Sequence, residues 1–436
     1  MMNKNDQETQ QMINNVDLEK TFLGSVEAGQ SLPTNTLPDD PMAPDVAAQL
    51  VEHYRLNEAK ANQNLATFCT TQMEPQADEL MKNALNTNAI DKSEYPKTAA
   101  MENYCVSMIA HLWGIPDNEK IYDDFIGTST VGSSEGCMLG GLALLHSWKH
   151  RAKAAGFDIE DLHSHKPNLV IMSGYQVVWE KFCTYWNVEM RQVPINGDQV
   201  SLDMDHVMDY VDAAFGGLFA PFVDGFNPWD FRLKNVVSIN VSGHKYGMVY
   251  PGLGWIVWRH NTADILPAEM RFQVPYLGKT VDSIAINFSH SGAHISAQYY
   301  NFIRFGLSGY KTIMQNVRKV SLKLTAALKT YGIFDILVDG SQLPINCWKL
   351  ADDAPVGWTL YDLESELAKY GWQVPAYPLP KNRDDVTISR IVVRPSMTMT
   401  IADDFLDDLK LAIDGLNHTF GVTTTVDQNN KTTVRS

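Results

Sequence analysis

Apolar residues in the middle of the chain form short continuous runs separated by amphipathic segments. The runs cover residues 168–174, 188–195, 236–242 and 253–259. Continuous apolar runs of this length predict strands that are buried on both faces of a parallel sheet. The segment YQVVWEKFCTYW, between the first two runs, has helical periodicity. Strands that alternate with helices predict an α/β core with a largely parallel sheet.

The pattern changes beyond about residue 325. Strand-like runs occupy 343–350, 372–378 and 387–393, and amphipathic helices are expected at 358–370 and 402–417. This mixture predicts a small α+β C-terminal domain over residues 326–418, after a large domain over residues 67–325. The last stretch, residues 419–436, is polar without a helical period, and we expect it to be disordered.

The N-terminal segment, residues 1–66, is expected to be an arm and a helix. Residues 1–45 are polar and rich in proline, which predicts an extended conformation. Asp45 is placed to cap a helix in which apolar and aromatic residues from Val46 to Tyr54 recur at helical spacing. Such an arm either wraps a partner subunit or is a loose tail.

Composition and charge exclude several classes of protein. Hydrophobic residues make up 44% of the 436 positions and charged residues 20%, which favours a large buried core and excludes a disordered chain. The net charge of −16 repels phosphate backbones, so we expect no nucleic acid or membrane partner. No apolar run approaches the length of a membrane span.

Cysteine and histidine usage favours a cytoplasmic protein without a metal site. The five cysteines include no CxxC pair, and the polar start MMNKNDQETQQMINN contains no apolar signal-peptide core. His146 and His150 have the i,i+4 spacing of metal ligands, but no HExxH glutamate accompanies them. They lie in the basic end of a predicted helix, where a solvated face is expected.

Three motifs carry candidate chemistry, and each also has an ordinary interpretation. Residues 132–136, GSSEG, open a predicted helix with Ser133 as its cap, and a helix N-terminus binds anions such as phosphate. An apolar strand ends at Ser-Gly-His-Lys, where Lys245 suits a bond to an aldehyde. Asp212 precedes small residues and could approach a flat ring. Separately they could be a capped helix, a surface lysine and a turn.

Together, in this chain order, the three motifs fit an enzyme that uses pyridoxal 5'-phosphate. Its phosphate needs a helix N-terminus, its ring nitrogen needs a carboxylate, and its aldehyde needs a lysine. The segment NVSGHKYGMVYPGLGWIVWR (240–259) resembles the lysine signature of bacterial glutamate decarboxylases, in the group II pyridoxal phosphate-dependent decarboxylase family. The resemblance runs from about residue 20 to 417. Further matching stretches are NLATF (64–68), NAIDKSEYP (88–96), GSSEGCMLGG (132–141), WDFRL (229–233), INFS (286–289), GWQVPAYPL (371–379) and RIVVRP (390–395).

The resemblance implies a fold, a reaction and an assembly. The fold is the PLP-dependent transferase fold type I (aspartate aminotransferase-like), an α/β fold with a large, mostly parallel-sheet domain and a small C-terminal α+β domain. The reaction is decarboxylation of L-glutamate to 4-aminobutyrate and CO2, with consumption of a proton. The assembly is a homodimer or an assembly of dimers that share their active sites.

The resemblance also implies which residues bind the cofactor. Lys245 would bond to the aldehyde, with His244 beside it contacting the phosphate or the substrate. Asp212 would pair with the ring nitrogen, and Gln176 would lie over the ring face. The hydroxyl groups expected to bind the phosphate are those of Ser133, Ser134, Ser242 and, across the dimer interface, Ser289.

Substrate-binding roles follow from the same resemblance. Thr67 and Phe68 would meet the side-chain carboxylate, with Asn88 and Asp91 contributed by the neighbouring subunit. Arg394 would hold the α-carboxylate. Its position after an apolar strand and before a proline independently suits a guanidinium aimed into a cleft, although Arg390 is a rival that could instead form a structural pair. Tyr276, in RFQVPYLGKT, would return the proton to Cα.

One segment of the family is expected to be missing between residues 211 and 212. The relatives have there on the order of 30–40 residues, a helix with flanking strands. Here Leu202, Val207 and Tyr210 have helical spacing, so we expect a helix over 202–211 that leads directly into Asp212 without a strand. The missing strand leaves open the alternative of an inactive family member. A decarboxylase of another amino acid is a second alternative.

Overall fold

A computed structural model describes residues 22–31, 34–115, 126–161, 165–193, 210–260, 262–274, 281–380, 383–421, 423–427 and 431–435. Its contacts divide the chain into two units, residues 1–60 and residues 61–436. The sequence analysis placed the first boundary slightly later, after residue 66. No helix in the described part of the chain is both long enough and apolar enough to cross a membrane.

The first unit contains helix α1 (Pro44–Arg55). Its N-cap is Ala43, and Asp45 lies in the first turn, where no side chain caps the helix. The prediction of Asp45 as the cap is therefore wrong. Pro44 opens the helix because its fixed φ and missing N–H suit the first helical position. Within this unit Phe22 packs against the ring of His53, with centroids 4.5 Å apart.

The second unit is built on a four-stranded sheet with the strand order β1-β6-β5-β4. These strands are β1 (Ile126–Thr130), β4 (Tyr210–Asp212), β5 (Ser238–Val241) and β6 (Gly254–Trp258). β4 is parallel to β5, whereas β6 is antiparallel to both β1 and β5. Every residue of β5 and β6 is buried, including the polar Ser238 and Asn240 of β5. β1, β4 and β5 therefore run in one direction and β6 in the other, so the sheet is mixed but mostly parallel, as expected.

Strands β2 (Asn168–Met172) and β3 (Glu189–Val193) were predicted from the sequence, and they form a separate parallel pair. Helix α5 (Val178–Tyr185) connects them; the helices that precede it are α2 (Pro75–Ala84), α3 (Pro96–Leu112) and α4 (Ser133–Ala154). α4 lies against β5, β6 and α5. Glycines allow this close approach: a Cβ atom on Gly140 would lie 2.1 Å from the Tyr210 ring.

A long helix, α6 (Ala293–Thr330), leads into a second sheet with the strand order β11-β12-β10-β9. The strands are β9 (Phe334–Asp339), β10 (Ile345–Leu350), β11 (Ala376–Pro378) and β12 (Thr387–Val392), all antiparallel to their neighbours. Helices α7 (Leu360–Lys369) and α8 (Met399–Thr419) complete this part. The predicted α+β elements are therefore confirmed, and β9 is an addition.

Two expectations need correction. Residues 210–212 do not continue a helix but form strand β4, which is in register with residues 238–240; residues 202–209 lie outside the described part of the chain. In the tail that was expected to be disordered, Thr423–Asp427 and Lys431–Arg435 form an antiparallel pair, β13 and β14. A further short pair, β7 (Phe272–Val274) and β8 (Val281–Ser283), follows the large sheet in sequence.

Candidate active site

The N-terminus of α4 meets the C-terminal end of β5. Gly132 is the N-cap, so Ser133 is the first helical residue rather than the cap. The Ser133 amide donates to the Ser242 hydroxyl over 3.2 Å, and the Asn240 side chain donates to the Ser133 carbonyl over 2.9 Å. Ser134 is exposed at the same helix end. A helix N-terminus lined by the hydroxyls of Ser133, Ser134 and Ser242 is suitable for a phosphate.

His244 lies over this helix end. Its Cε1 atom would be 3.0 Å from a Cβ atom on Gly132, which explains why a glycine is needed there. Its Nδ1 atom is buried and has no hydrogen-bond partner among the described residues. Burial, reinforced by the charge of Lys245, lowers the pKa of His244 to about 4. The imidazole is therefore neutral near neutral pH and has an unused polar atom in the site.

Lys245 follows β5 and lies in a partly enclosed position. Burial lowers the pKa of its amine, and the nearby carboxylate of Asp212 partly opposes this effect. Thr70 holds this segment in place. Its amide donates to the His244 carbonyl over 2.7 Å, and its hydroxyl donates to the Lys245 carbonyl over 2.9 Å. No motif in the sequence points to Thr70. A lowered pKa favours the neutral amine, which is the nucleophilic form.

Asp212 stands at the carboxyl end of β4, next to the end of β5. One carboxylate oxygen accepts the Ala214 amide over 3.1 Å, and the other accepts the Cys137 thiol over 3.3 Å. Its side chain is exposed toward the site rather than packed in the core. Parallel strands bring Asp212 and Lys245 to the same edge of the sheet, where ligands of α/β proteins bind.

Phe68 and Arg390 border the lysine. The Lys245 amine lies 5.2 Å from the Phe68 ring centroid, and the Arg390 guanidinium lies 4.3 Å from it on β12. Arg390 donates to the Ala66 carbonyl over 3.0 Å, while its Nε atom has no partner among the described residues. Thr67 precedes Phe68 and receives the Cys69 amide on its hydroxyl.

Arg394 has different surroundings from those expected. It is 2% exposed. Its two terminal nitrogens donate to Thr71 and to three backbone carbonyls, those of Ala61, Asn64 and Cys69. These bonds use the guanidinium to hold the segment 61–71. The structure thus places Arg390, not Arg394, beside Lys245.

Asn88, Asp91 and Ser289 form one cluster. The Asn88 amide donates to Asp91 over 3.0 Å and to the Ser289 hydroxyl over 3.4 Å. The second Asp91 oxygen is buried without a partner among the described residues. In the described part of the chain, no hydrogen bond joins these three side chains to Ser133, Ser242 or Lys245. They are brought together with each other but not with the lysine.

Of the two remaining residues of the expected site, the structure describes only Gln176. Gln176 is exposed in the loop after β2, and its side-chain oxygen accepts the Val178 amide at the start of α5. Tyr276 lies outside the described residues.

The residues present fit pyridoxal phosphate. The Gly132 position leaves room that a Cβ atom would fill, the buried His244 Nδ1 atom lacks a partner, and a serine-lined helix end faces them. An amine of lowered pKa and a strand-end carboxylate lie at the same sheet edge. These groups match the phosphate, the aldehyde and the ring nitrogen of that cofactor, respectively.

Comparisons with curated proteins find close relatives. The chain is 48% identical over 440 positions to a glutamate decarboxylase of Lactococcus lactis subsp. lactis, which covers 91% of this chain and 92% of that protein. It is 47% identical over 445 positions to glutamate decarboxylase beta of Listeria innocua, covering 92% and 94%. Because 91% of 436 residues is about 397, the first alignment includes about 43 positions at which this chain has no residue.

Solved structures give the same picture. A Lactobacillus brevis glutamate decarboxylase matches with a TM-score of 0.85 and 45% identity, covering 91% of this chain and 98% of that one. A sphingosine-1-phosphate lyase of Burkholderia pseudomallei matches with a TM-score of 0.72 at 17% identity, covering 90% and 95%, and this likeness shows the fold alone. The architecture is therefore that of PLP-dependent fold type I enzymes.

A family model supports the assignment directly. The model of the pyridoxal-dependent decarboxylase conserved domain matches residues 39–209 and residues 202–351, two stretches that overlap at residues 202–209. The lysine, the aspartate and the serine-lined helix end all lie within these stretches. The chain therefore belongs to the pyridoxal-dependent decarboxylase family.

Proposed function

We propose that this chain decarboxylates L-glutamate to 4-aminobutyrate and CO2, with pyridoxal 5'-phosphate as its cofactor. The observation that carries the proposal is Lys245, an amine of lowered pKa between the serine-lined end of α4 and Asp212. Relatives named as glutamate decarboxylases, at 47–48% identity over more than nine-tenths of the chain, support glutamate as the substrate.

The cofactor would be held at three points. Ser133, Ser134 and Ser242 would bind its phosphate at the N-terminus of α4, and His244 would contact the phosphate or the substrate. Asp212 would keep a proton on the ring nitrogen. When bound, pyridoxal phosphate supplies an aldehyde for covalent attachment and a ring that accepts the electron pair left on Cα when CO2 departs. Gln176 would flank the ring face.

Arg390 is assigned to the substrate α-carboxylate, in place of Arg394. It stacks on Phe68 beside Lys245, and among the described residues it makes only one hydrogen bond, to the Ala66 carbonyl. In Arg394, by contrast, both terminal nitrogens already donate hydrogen bonds to the protein. A guanidinium that binds a carboxylate with two parallel hydrogen bonds fixes its plane. Arg390 can thereby set the direction in which the α-carboxylate leaves.

The distal carboxylate of glutamate would be recognised by Thr67 and Phe68, with Asn88 and Asp91 supplied by a neighbouring subunit. Tyr276 would return the proton to Cα. Each turnover places one proton on carbon, so the reaction removes acid from its surroundings and suits a role in acid resistance. Free cysteines throughout the chain agree with a reducing, cytoplasmic location.

A homodimer, or an assembly of dimers, is part of the proposal. Asn88, Asp91 and Ser289 cluster with each other rather than with Lys245, so they can serve a pocket only if a second chain contributes it. Apolar side chains on α3 and α6 offer a surface for that second chain. Those exposed by 39–73% are Tyr104, Met108, Ile303 and Leu307.

The chain is also proposed to lack a family segment between Val211 and Asp212. The family model matches in two stretches that meet near this point, and the alignment with the Lactococcus relative includes positions without a counterpart here. The segment's absence was expected to leave Asp212 without a strand. Since β4 presents Asp212 in register with β5, the inactive alternative is not favoured.

Chemical trapping tests the assignment. Borohydride reduction of the loaded protein, followed by peptide mapping, should label Lys245, and Lys245→Ala should abolish both the label and CO2 release. Arg390 and Asp212 variants should still be labelled if they fold. A label on another lysine would refute the assignment. Product analysis with glutamate, aspartate and tyrosine would identify a different amino-acid substrate.

A further inference from the structure

Glu135, the third residue of α4, is a buried carboxylate that bonds to backbone amides. It is 7% exposed. Its Oε1 atom accepts the amides of Ile286 and Asn287 over 2.9 and 3.0 Å, and its Oε2 atom accepts the Val131 amide over 2.8 Å. A buried carboxylate with several backbone donors is strongly held, and so are the donors, because each would otherwise lose its hydrogen bond.

The segment that Glu135 holds, residues 286–291, includes Ser289 and contacts Asn88. Ser289 receives the Asn88 side chain, the His290 amide donates to Asn88 Oδ1 over 3.2 Å, and the Ala89 amide donates to the His290 carbonyl over 2.9 Å. One carboxylate therefore connects the phosphate-binding end of α4 to Ser289, and through Ser289 and His290 to Asn88 and Asp91.

We propose that Glu135 is a positioning residue for the active site of the other subunit. The inference rests on the proposed function, in which Asn88, Asp91 and Ser289 enter the partner's pocket. Glu135 is two residues from Ser133, so the simple alternative is that it supports its own phosphate site. The contacts favour the first role, because two of its three bonds go to the segment 286–291. Each cofactor site would then be mechanically connected to residues that complete the other.

The first test uses the cofactor-free protein. In Glu135→Ala, amides of residues 284–291 should exchange hydrogen at least about tenfold faster, since the Ile286 and Asn287 amides lose the carboxylate oxygen that accepts their hydrogen bonds. Glu135→Gln keeps one acceptor oxygen and should fall between Ala and wild type. Asp362→Ala is the matched control, because Asp362 also accepts a backbone amide in the first turn of a helix. It should leave residues 284–291 unchanged. Unchanged exchange in Glu135→Ala would overturn the proposal.

The second test uses hybrid dimers. Glu135→Ala homodimers should lose about tenfold or more in kcat/KM, because misplacement of binding residues is costly. Consider a hybrid of a Glu135→Ala chain with a Lys245→Ala chain. Its only working lysine is on the Glu135→Ala chain. The segment 286–291 that completes this lysine's site comes from the Lys245→Ala chain, in which Glu135 is intact. If Glu135 acts on the partner's site, this hybrid should have about half the wild-type kcat per dimer, and a normal KM. If the hybrid site is as impaired as the Glu135→Ala homodimer, Glu135 acts within its own site and the proposal is wrong.

A third hybrid separates this inference from the proposed function. Asn88→Ala paired with Lys245→Ala should also restore one normal site if subunits share their pockets. Restoration here, without restoration in the Glu135 hybrid, would refute only the role of Glu135. Failure of both hybrids would refute site sharing itself, and the proposal for Glu135 with it.

Discussion

Two arginines four residues apart have opposite surroundings. Arg390 lies on the Phe68 ring beside Lys245 and makes one hydrogen bond among the described residues, to the Ala66 carbonyl. Arg394 is 2% exposed, and its two terminal nitrogens make four hydrogen bonds, to Thr71 and to three backbone carbonyls. Arg390 lies within β12 and Arg394 two residues after its end, and both belong to the same short stretch RIVVRP, so the local pattern could not distinguish them. Only the packing of the segment 61–71 against Arg394 shows which guanidinium is structural.

Substitution should separate their roles. Arg390→Gln should lower kcat/KM for glutamate by about 100-fold or more, because a charge-assisted bidentate contact is lost, and leave the free energy of unfolding nearly unchanged. Arg394→Gln should lower the free energy of unfolding by about 1–3 kcal/mol or more, since buried carbonyls lose their donors. Steady-state kinetics and urea unfolding measure the two effects. A kinetic defect confined to Arg394→Gln would restore the original assignment.

His244 should make the cofactor-free protein sensitive to mild acid. Its pKa in the folded protein, about 4, lies below the ordinary histidine value of 6.5, chiefly because the imidazole is buried. Above pH 6.5 neither state binds the proton, so stability is unaffected there. As the pH falls from 6.5 towards 4, the unfolded chain binds a proton that the folded chain does not, and stability falls by up to about 3 kcal/mol.

Urea unfolding of the cofactor-free protein across this range measures the effect. His244→Asn cannot bind the proton in either state, so its stability should change less between pH 6.5 and about pH 5. Equal pH dependence in both proteins would show that His244 is not buried as described. Below about pH 4.5 a second group contributes: burial alone would raise the pKa of Glu102, but Lys92 and Ser129 lower it overall, so protonation of Glu102 also destabilises the fold there.

At the scale of elements, the sequence predicts the strands with long apolar runs and the amphipathic helices, but not short strands such as β4. Long apolar runs such as 253–259 give β6, and amphipathic periodicity gives α7 and α8. β4 has only three residues, and its extended conformation depends on pairing with β5. Periodicity along the chain contains no information about such a long-range partner, so helical spacing up to Tyr210 was misleading.

The packing of α4 on β4 gives a prediction at this scale. A Cβ atom on Gly140 would lie 2.1 Å from the Tyr210 ring. Gly140→Ala should therefore lower the free energy of unfolding by about 1–3 kcal/mol, despite the higher helix propensity of alanine. It should also weaken retention of pyridoxal phosphate, because Tyr210 lies two residues before Asp212.

Gly415 in α8 provides the matched control. Its nearest neighbour to a new Cβ atom would be Glu366 Oε1 at 3.7 Å, an ordinary contact. Gly415→Ala should be neutral or stabilising by up to about 1 kcal/mol and should leave cofactor retention unchanged. Thermal unfolding and equilibrium dialysis measure both quantities. If the two substitutions behaved alike, close packing of Tyr210 on α4 would not be what positions β4.

For the whole molecule, the described strands of the large domain form a four-stranded sheet and two separate pairs, β2–β3 and β7–β8. β4 pairs with β5 alone among the described strands, and β2 pairs with β3 alone. The four-stranded sheet and the β2–β3 pair also differ in burial. All residues of β5 and β6 are buried, whereas four of the five residues of β3 are exposed and Val170 of β2 is 51% exposed. The region 168–193 is held mainly through apolar contacts of α5 and α4, including Phe182 and Trp179.

This difference predicts unequal local stability. Amides of 168–172 and 189–193 should exchange hydrogen well before those of 238–241 and 254–258, because a two-stranded pair with one exposed side opens without unfolding the rest. Insertion of the relatives' segment between Val211 and Asp212 should slow exchange in 168–193 by supplying a strand between the two sheets, and leave 254–258 unchanged. The amides of β12, which belongs to the sheet of the C-terminal part, serve as the unaffected reference. If 168–193 were already as protected as 254–258, the separation of the sheets would have no energetic consequence, and the missing segment could not be what weakens this side of the site.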